Sequence, residues 1–72
     1  MSLRLVIGGL YRYYKGRLIM IDNIAKCAKS KKHIVIYHDI KNPRLLYTRT
    51  LKDFLSKSKR NNRKIKKFEF LR

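Results

Sequence analysis

Hydrophobic positions in this chain fall into short runs with the spacing of β-strands, and one stretch breaks from that spacing into the period of a helix. In Leu45-Leu46-Tyr47-Thr48-Arg49-Thr50-Leu51-Lys52-Asp53-Phe54-Leu55 an apolar strand runs directly into a single amphipathic helical turn. Thr50 is suited to cap that turn, and Asp53, three residues on, brings a carboxylate to the free N–H groups and the positive end of the helix dipole. Leu51, Phe54 and Leu55 lie at i, i+3 and i+4, a spacing that sends all three toward a core. Isolated helices need about 12 to 15 residues to persist. The pattern therefore predicts a helical cap packed over a sheet.

The rest of the chain supplies that sheet. Met1 to Ile7 alternates weakly and ends at Gly8-Gly9, which predicts an N-terminal arm or extra strand over residues 1–9. Leu10 to Tyr14 reads as a strand stopped by the turn signal Lys15-Gly16. Leu18 to Cys27 is long, apolar and β-branched, a bent strand with Asp22-Asn23 as the natural place for a bulge. After a polar turn at Lys29 to Lys32, His33 to Ile40 alternates clearly, with Ile34, Ile36, His38 and Ile40 on one face and His33, Val35, Tyr37 and Asp39 on the other. Lys41-Asn42-Pro43-Arg44 reverses the chain into Leu45 to Arg49. Beyond the helical turn, Lys57 to Lys64 reads as a basic loop, and Ile65 to Leu71 as the last strand. The expected fold is all-β: one small barrel over residues 10–72, with five or six short strands and a short helical turn before the last.

Composition narrows what such a barrel can be. With 72 residues the chain has one small core, and domains of this size bury only about 60% of their unfolded surface. A single cysteine, Cys27, permits no intramolecular disulfide, which fits a reducing, intracellular setting, cytoplasmic or nuclear. The longest apolar run, Leu5 to Leu10, is far short of the roughly 20 residues of a membrane span, and its flanks do not form a secretory signal. The formal charge of +16, from 20 Lys and Arg against Asp22, Asp39, Asp53 and Glu69, is the dominant feature. Lys, Asn, Ile and Tyr codons are AT-rich, but so are those of Glu, which occurs once; base composition does not account for the lack of acids. The excess positive potential points to an anionic partner.

Three groups of residues are candidates for chemistry. Lys57, Lys59, Arg60, Arg63, Lys64, Lys66 and Lys67 form a basic run able to follow a phosphate backbone. Five such contacts to duplex DNA would give a slope of log affinity against log salt of about −4.5. The bland alternative is a solvated loop that keeps a small protein in solution. Tyr11, Arg12, Tyr13, Lys15, Tyr37, Tyr47 and Arg49 mix rings and cations as single-strand binders do, rings stacking bases and cations meeting phosphates. If Tyr37 and Tyr47 face each other across the hairpin, Arg49 lies on the side of Tyr47; the competing fate of these rings is core packing. The third group, His33, His38 and Cys27, is a poor metal or catalytic set, because two histidines an odd number of positions apart on one strand point to opposite faces. No base can be placed beside Cys27, Asp53 is committed to the helix cap, and no phosphate-cradling glycine loop is present. No catalytic residue, metal or cofactor is expected.

Several segments, taken together, carry a resemblance. Tyr11-Arg12-Tyr13-Tyr14-Lys15-Gly16, Ala25-Lys26, Ile34-Val35-Ile36-Tyr37, Leu46-Tyr47-Thr48-Arg49-Thr50-Leu51 with Phe54, and Lys67-Phe68-Glu69 resemble, over roughly residues 9 to 71, the small bacterial and viral family called domain of unknown function sixteen fifty-three. The resemblance implies an SH3-like barrel and brings no activity. The chain departs from the family at Cys27-Ala28-Lys29-Ser30, where His-Ser-Glu-Thr is usual, and at Tyr47 and Thr50, where Trp and Pro are usual. Its relatives are also less basic, which makes the charge a feature of this chain. The sequence thus predicts a non-enzymatic module that binds DNA or RNA through phosphates with little sequence specificity. Two alternatives are a pocket that sequesters a small anion such as a nucleotide and a basic face that docks on an acidic protein; no membrane partner is expected.

Overall fold

The computed structural model describes residues 5–72, and of Arg60 the backbone alone. The part of the expected N-terminal arm that falls on residues 1–4 lies outside them. Seven strands and one helical turn follow in order: β1 Leu10–Tyr13, β2 Leu18–Lys26, β3 His33–Asp39, β4 Asn42–Thr50, α1 Leu51–Phe54, β5 Lys57–Arg60, β6 Arg63–Lys66 and β7 Phe68–Phe70. Strands β4-β3-β2-β1-β7 make one antiparallel sheet, and β5-β6 make a separate two-stranded ribbon. The domain is all-β, as its spacing predicts. Among the described residues β4 and β7 do not pair, so the sheet is not a closed barrel. The helical turn precedes three strands rather than one.

Of the two long strands, β2 bends where the sequence predicts it, and β4 bends where no bend is expected. The β2–β3 register slips between Ile21 and Asn23, placing a bulge at Asp22. There the Asp22 carboxylate pairs with His38 Nδ1 at 2.6 Å. On β3 the alternation resolves with Val35 and Tyr37 inward. The reversal into β4 comes earlier than the expected Lys41–Arg44 turn. It is made by Ile40 and Lys41, with the Lys41 N–H donating to Asp39 Oδ1 at 2.9 Å. Asp39 faces Asn42 while His38 already faces Leu46, so residues 43–45 are left over as a bulge. Pro43, which has no N–H to give a ladder, sits in that bulge of an edge strand.

The core gathers on the concave face. Tyr11, Ile19, Ile21, Val35, Tyr37, Phe54 and Phe68 are buried, with Leu5, Tyr13 and Leu51 packed against them. Tyr37 of β3 and Phe68 of β7 approach to 5.8 Å between ring centroids. Three inter-strand steps of a flat sheet would hold those strands about 14 Å apart, so the sheet is strongly curled. Phe54, delivered by α1, fills the mouth of the curl and stacks on Phe68 at 4.0 Å with an interplanar angle of 5°. As predicted, Thr50 caps this turn, its Oγ1 accepting the Asp53 N–H at 3.2 Å. Leu55 does not share the buried face. It is the C-cap, where the chain leaves the helix, and it is 52% exposed.

Residues 5–9 are not a strand. Gly8, with φ of 81°, donates its N–H to Ile21 O at 2.8 Å, and the Val6 N–H reaches the Tyr11 hydroxyl at 3.1 Å. The segment is thus laid over β1 as a turn. No helix among the described residues is long and apolar enough to cross a membrane.

Candidate nucleic-acid interface

The basic run, expected as a loop, is a hairpin. Its turn is Asn61-Asn62, both in the left-handed region with φ of 53° and 64°. Two such residues in succession form the two-residue turn that matches the twist of paired strands, and Asn is among the few residues that accept it. The register then decides where each charge goes. Lys57 faces Lys66 and Lys59 faces Lys64. Side chains alternate along a strand and facing residues share a side, so these four exposed lysines occupy one face. Ser58 faces Ile65 on the opposite side, both half-buried against the body. Among the described residues none of the four lysines has an acidic partner within ion-pairing distance.

The remaining members of the run are placed differently. Arg63 is exposed at the tip, on the Ser58 side, and the Arg60 side chain lies outside the described part of the chain. Lys67 does not join the lysine face. Its Nζ turns inward to Asp53 Oδ1 at 2.9 Å, leaving the side chain only 22% exposed. Asp53 also receives Arg49 Nη1 through Oδ2. The sequence commits this carboxylate to the helix cap, whereas the structure uses the Asp53 backbone N–H for the cap and the carboxylate as a hub between β4 and the β6–β7 junction. Lys67 first, then Arg49, holds the Asp53 carboxyl below the usual carboxylate range.

A pocket of about 350 Å³ opens beside this hub, lined by Tyr13, Lys15, Arg17, Ile19, Tyr37, Asp39, Tyr47, Arg49 and Phe68. Five of the seven residues expected to form a stacking surface meet here: Tyr13, Lys15, Tyr37, Tyr47 and Arg49. Tyr37 and Tyr47 face each other across β3 and β4 and stack at 5.7 Å with an interplanar angle of 25°. Arg49 lies on their side, its Nε reaching the Tyr37 hydroxyl at 3.4 Å and its guanidinium 5.4 Å over the Phe68 ring. Hydrogen bonding to Tyr37, with a further contribution from Asp53, raises the Arg49 pKa, so this cation stays charged at any working pH.

Two of the seven lie elsewhere. Tyr11 is 3% exposed and belongs to the core, packed on Phe54 and Phe70. Arg12, next to Tyr13 on β1, does not line this pocket and pairs instead with Glu69 Oε1 at 2.9 Å. Arg17, Asp39 and Phe68 line the pocket without having been singled out. The sheet register brings them there, and only Phe68 belongs to a segment that the resemblance marked.

Tyr13 also lines a second depression, of about 410 Å³, with Arg12, Tyr14, Gly16, Ile65, Lys66 and Glu69. That depression joins the pocket to the ribbon. Tyr14 hydrogen-bonds Ser58 of the ribbon, which pulls the phenol below its ordinary pKa. The set His33, His38 and Cys27 is not assembled: His33 is exposed at the start of β3, His38 is paired with Asp22, and among the described residues no three His, Cys, Asp or Glu side chains gather as a metal site. The Cys27 thiol is pulled below its ordinary pKa, chiefly by hydrogen bonding to the Ser30 side chain.

A comparison with curated proteins finds none that matches the chain, and a comparison with solved structures finds none either. The sequence model of the family described as a protein of unknown function, DUF1653, matches residues 9–70. That stretch takes in the whole curled sheet, the helical turn, the pocket and the lysine ribbon, and on this match the chain belongs to that family.

Proposed function

We propose that the protein is a non-enzymatic binder of nucleic acid that grips the phosphate backbone with the lysine face of the β5–β6 ribbon and has little sequence specificity. The observation that carries this reading is the pair of facing cations, Lys57 with Lys66 and Lys59 with Lys64. Like charges set directly opposite each other weaken a strand pair. A phosphate backbone removes that penalty and adds the entropy of released counterions. A two-stranded ribbon is also narrow enough to follow a groove. Ammonium groups act as point charges, so they register phosphates without reading bases. The reading as a binder is further supported by the state of the acids: Asp22, Asp53 and Glu69 are each held in an ion pair. The curled sheet with its one-turn plug is read as an opened SH3-like arrangement.

Four engaged lysines give an expected slope of log affinity against log salt of about −3.6 on duplex DNA. The double variant Lys59→Thr with Lys64→Thr replaces a repelling pair by a favourable one, so its thermal midpoint should be no lower than that of the parent. Its slope should nevertheless shrink by about 1.8. Fluorescence anisotropy with labelled duplex across a range of salt measures both. An unchanged slope, or no binding by the parent at low salt, overturns the proposal.

A further inference from the structure

We infer that the pocket beside Arg49 seats one unstacked nucleobase with its phosphate, which makes single-stranded nucleic acid or a free strand end the preferred form of the ligand; this rests on the nucleic-acid reading above. The first argument is size and shape. A volume of about 350 Å³ is at the small end of the range of about 300 to 1,000 Å³ for ligand sites and suits one nucleotide rather than a duplex. The second is the ring wall. Tyr47 is fixed by its stack on Tyr37 yet 38% exposed toward the pocket, and Tyr13 is held against Phe68 at 4.9 Å. Rings already locked in place lose little freedom when a base stacks on them.

The third argument is the division of labour among the charges. Arg49 is occupied by Asp53 and Tyr37 and serves as the floor. Lys15 and Arg17, on the rim, have no ion-pair partner among the described residues and are free to meet a phosphate. Asp39 spends Oδ1 on the Lys41 N–H, and among the described residues Oδ2 has no partner. A carboxylate only accepts, so Oδ2 suits the exocyclic amine of cytosine or adenine and opposes the carbonyl that thymine presents at the same place. Finally, the pocket and the ribbon share Tyr13 as a wall through the neighbouring depression that holds Lys66. A strand can therefore rest its backbone on the lysines and turn one base into the pocket.

The test compares short oligo(dC), short oligo(dT) and a duplex by anisotropy, with free cytidine monophosphate as competitor. Tyr47→Ala should weaken oligo(dC) binding between about five- and a hundredfold, leave duplex binding unchanged, and be rescued by Tyr47→Phe, with circular dichroism confirming the fold of each variant. Oligo(dC) should bind more tightly than oligo(dT). Saturable competition by the free monophosphate that vanishes in Tyr47→Ala supports the same site and assigns the free nucleotide as a source of the ligand. Equal losses for single strand and duplex, or no loss at all in Tyr47→Ala, overturn the inference. The backbone reading is tested separately by the Lys59 and Lys64 variant: if that variant is unchanged while Tyr47→Ala loses single strands, the ribbon proposal fails and the pocket stands.

Discussion

Asp53 ties together parts of the molecule that are distant in sequence: its backbone closes the cap on Thr50, and its carboxylate draws Arg49 of β4 and Lys67 of the β6–β7 junction to one point. Its pKa is lower in the folded chain than in the unfolded one. The stabilisation it gives is therefore complete above the ordinary carboxylate range and is lost as pH falls through the lowered folded value. Asp53→Asn should cost about 1 kcal/mol near neutral pH. The figure is small because the carboxylate is 39% exposed and water screens both pairs. Urea denaturation of parent and variant should show the difference at neutral pH and its disappearance in acid. Thr50 was legible as a cap because capping is local. The pair with Lys67 was not, since Lys67 lies 14 residues away and reaches Asp53 only through the path of the ribbon.

Among the elements, the strands with apolar alternation were legible down to the bulge at Asp22, because a β-branched run interrupted by Asp-Asn has few other ways to continue. The ribbon was not. Lys and Asn are depleted in strands, so a run rich in them reads as a loop, and the pairing comes from the two left-handed asparagines at its tip. The lysine face follows from that turn, since a change of one residue in the register would send half of the charges to the other side. Asn62→Val, which puts a β-branched side chain at a φ of 64°, should destabilise the ribbon by about 1 to 2 kcal/mol. It should weaken duplex binding while leaving the near-ultraviolet circular dichroism of the core rings unchanged. A variant that binds as the parent does would show that the ribbon geometry is dispensable for the charge.

For the whole molecule the alternation revealed which faces turn inward but not how far the sheet curls, because curvature is set by bulges and by what fills the mouth. Phe54 is that filling, in contact with Tyr11, Tyr37 and Phe68. A chain of 72 residues has a total stability of about 4 to 11 kcal/mol. Phe54→Ala, at about 3 to 5 kcal/mol, should remove a large share of that and, at the lower end of the range, bring the chain to its unfolding midpoint, a loss that thermal melting measures directly. Among the described residues the two edge strands of the sheet, β4 and β7, do not pair with each other, and the candidate pocket is lined from both, by Tyr47 and Arg49 on one side and Phe68 on the other. Among the described residues the ribbon shares no strand ladder with the larger sheet. Its opening is consequently not bound to global unfolding, so its amide hydrogens keep their own clock of exchange with solvent. On the proposed mode of binding, a polyanion laid across the facing lysines should slow that clock, so exchange at residues 57–66 is expected to record occupancy.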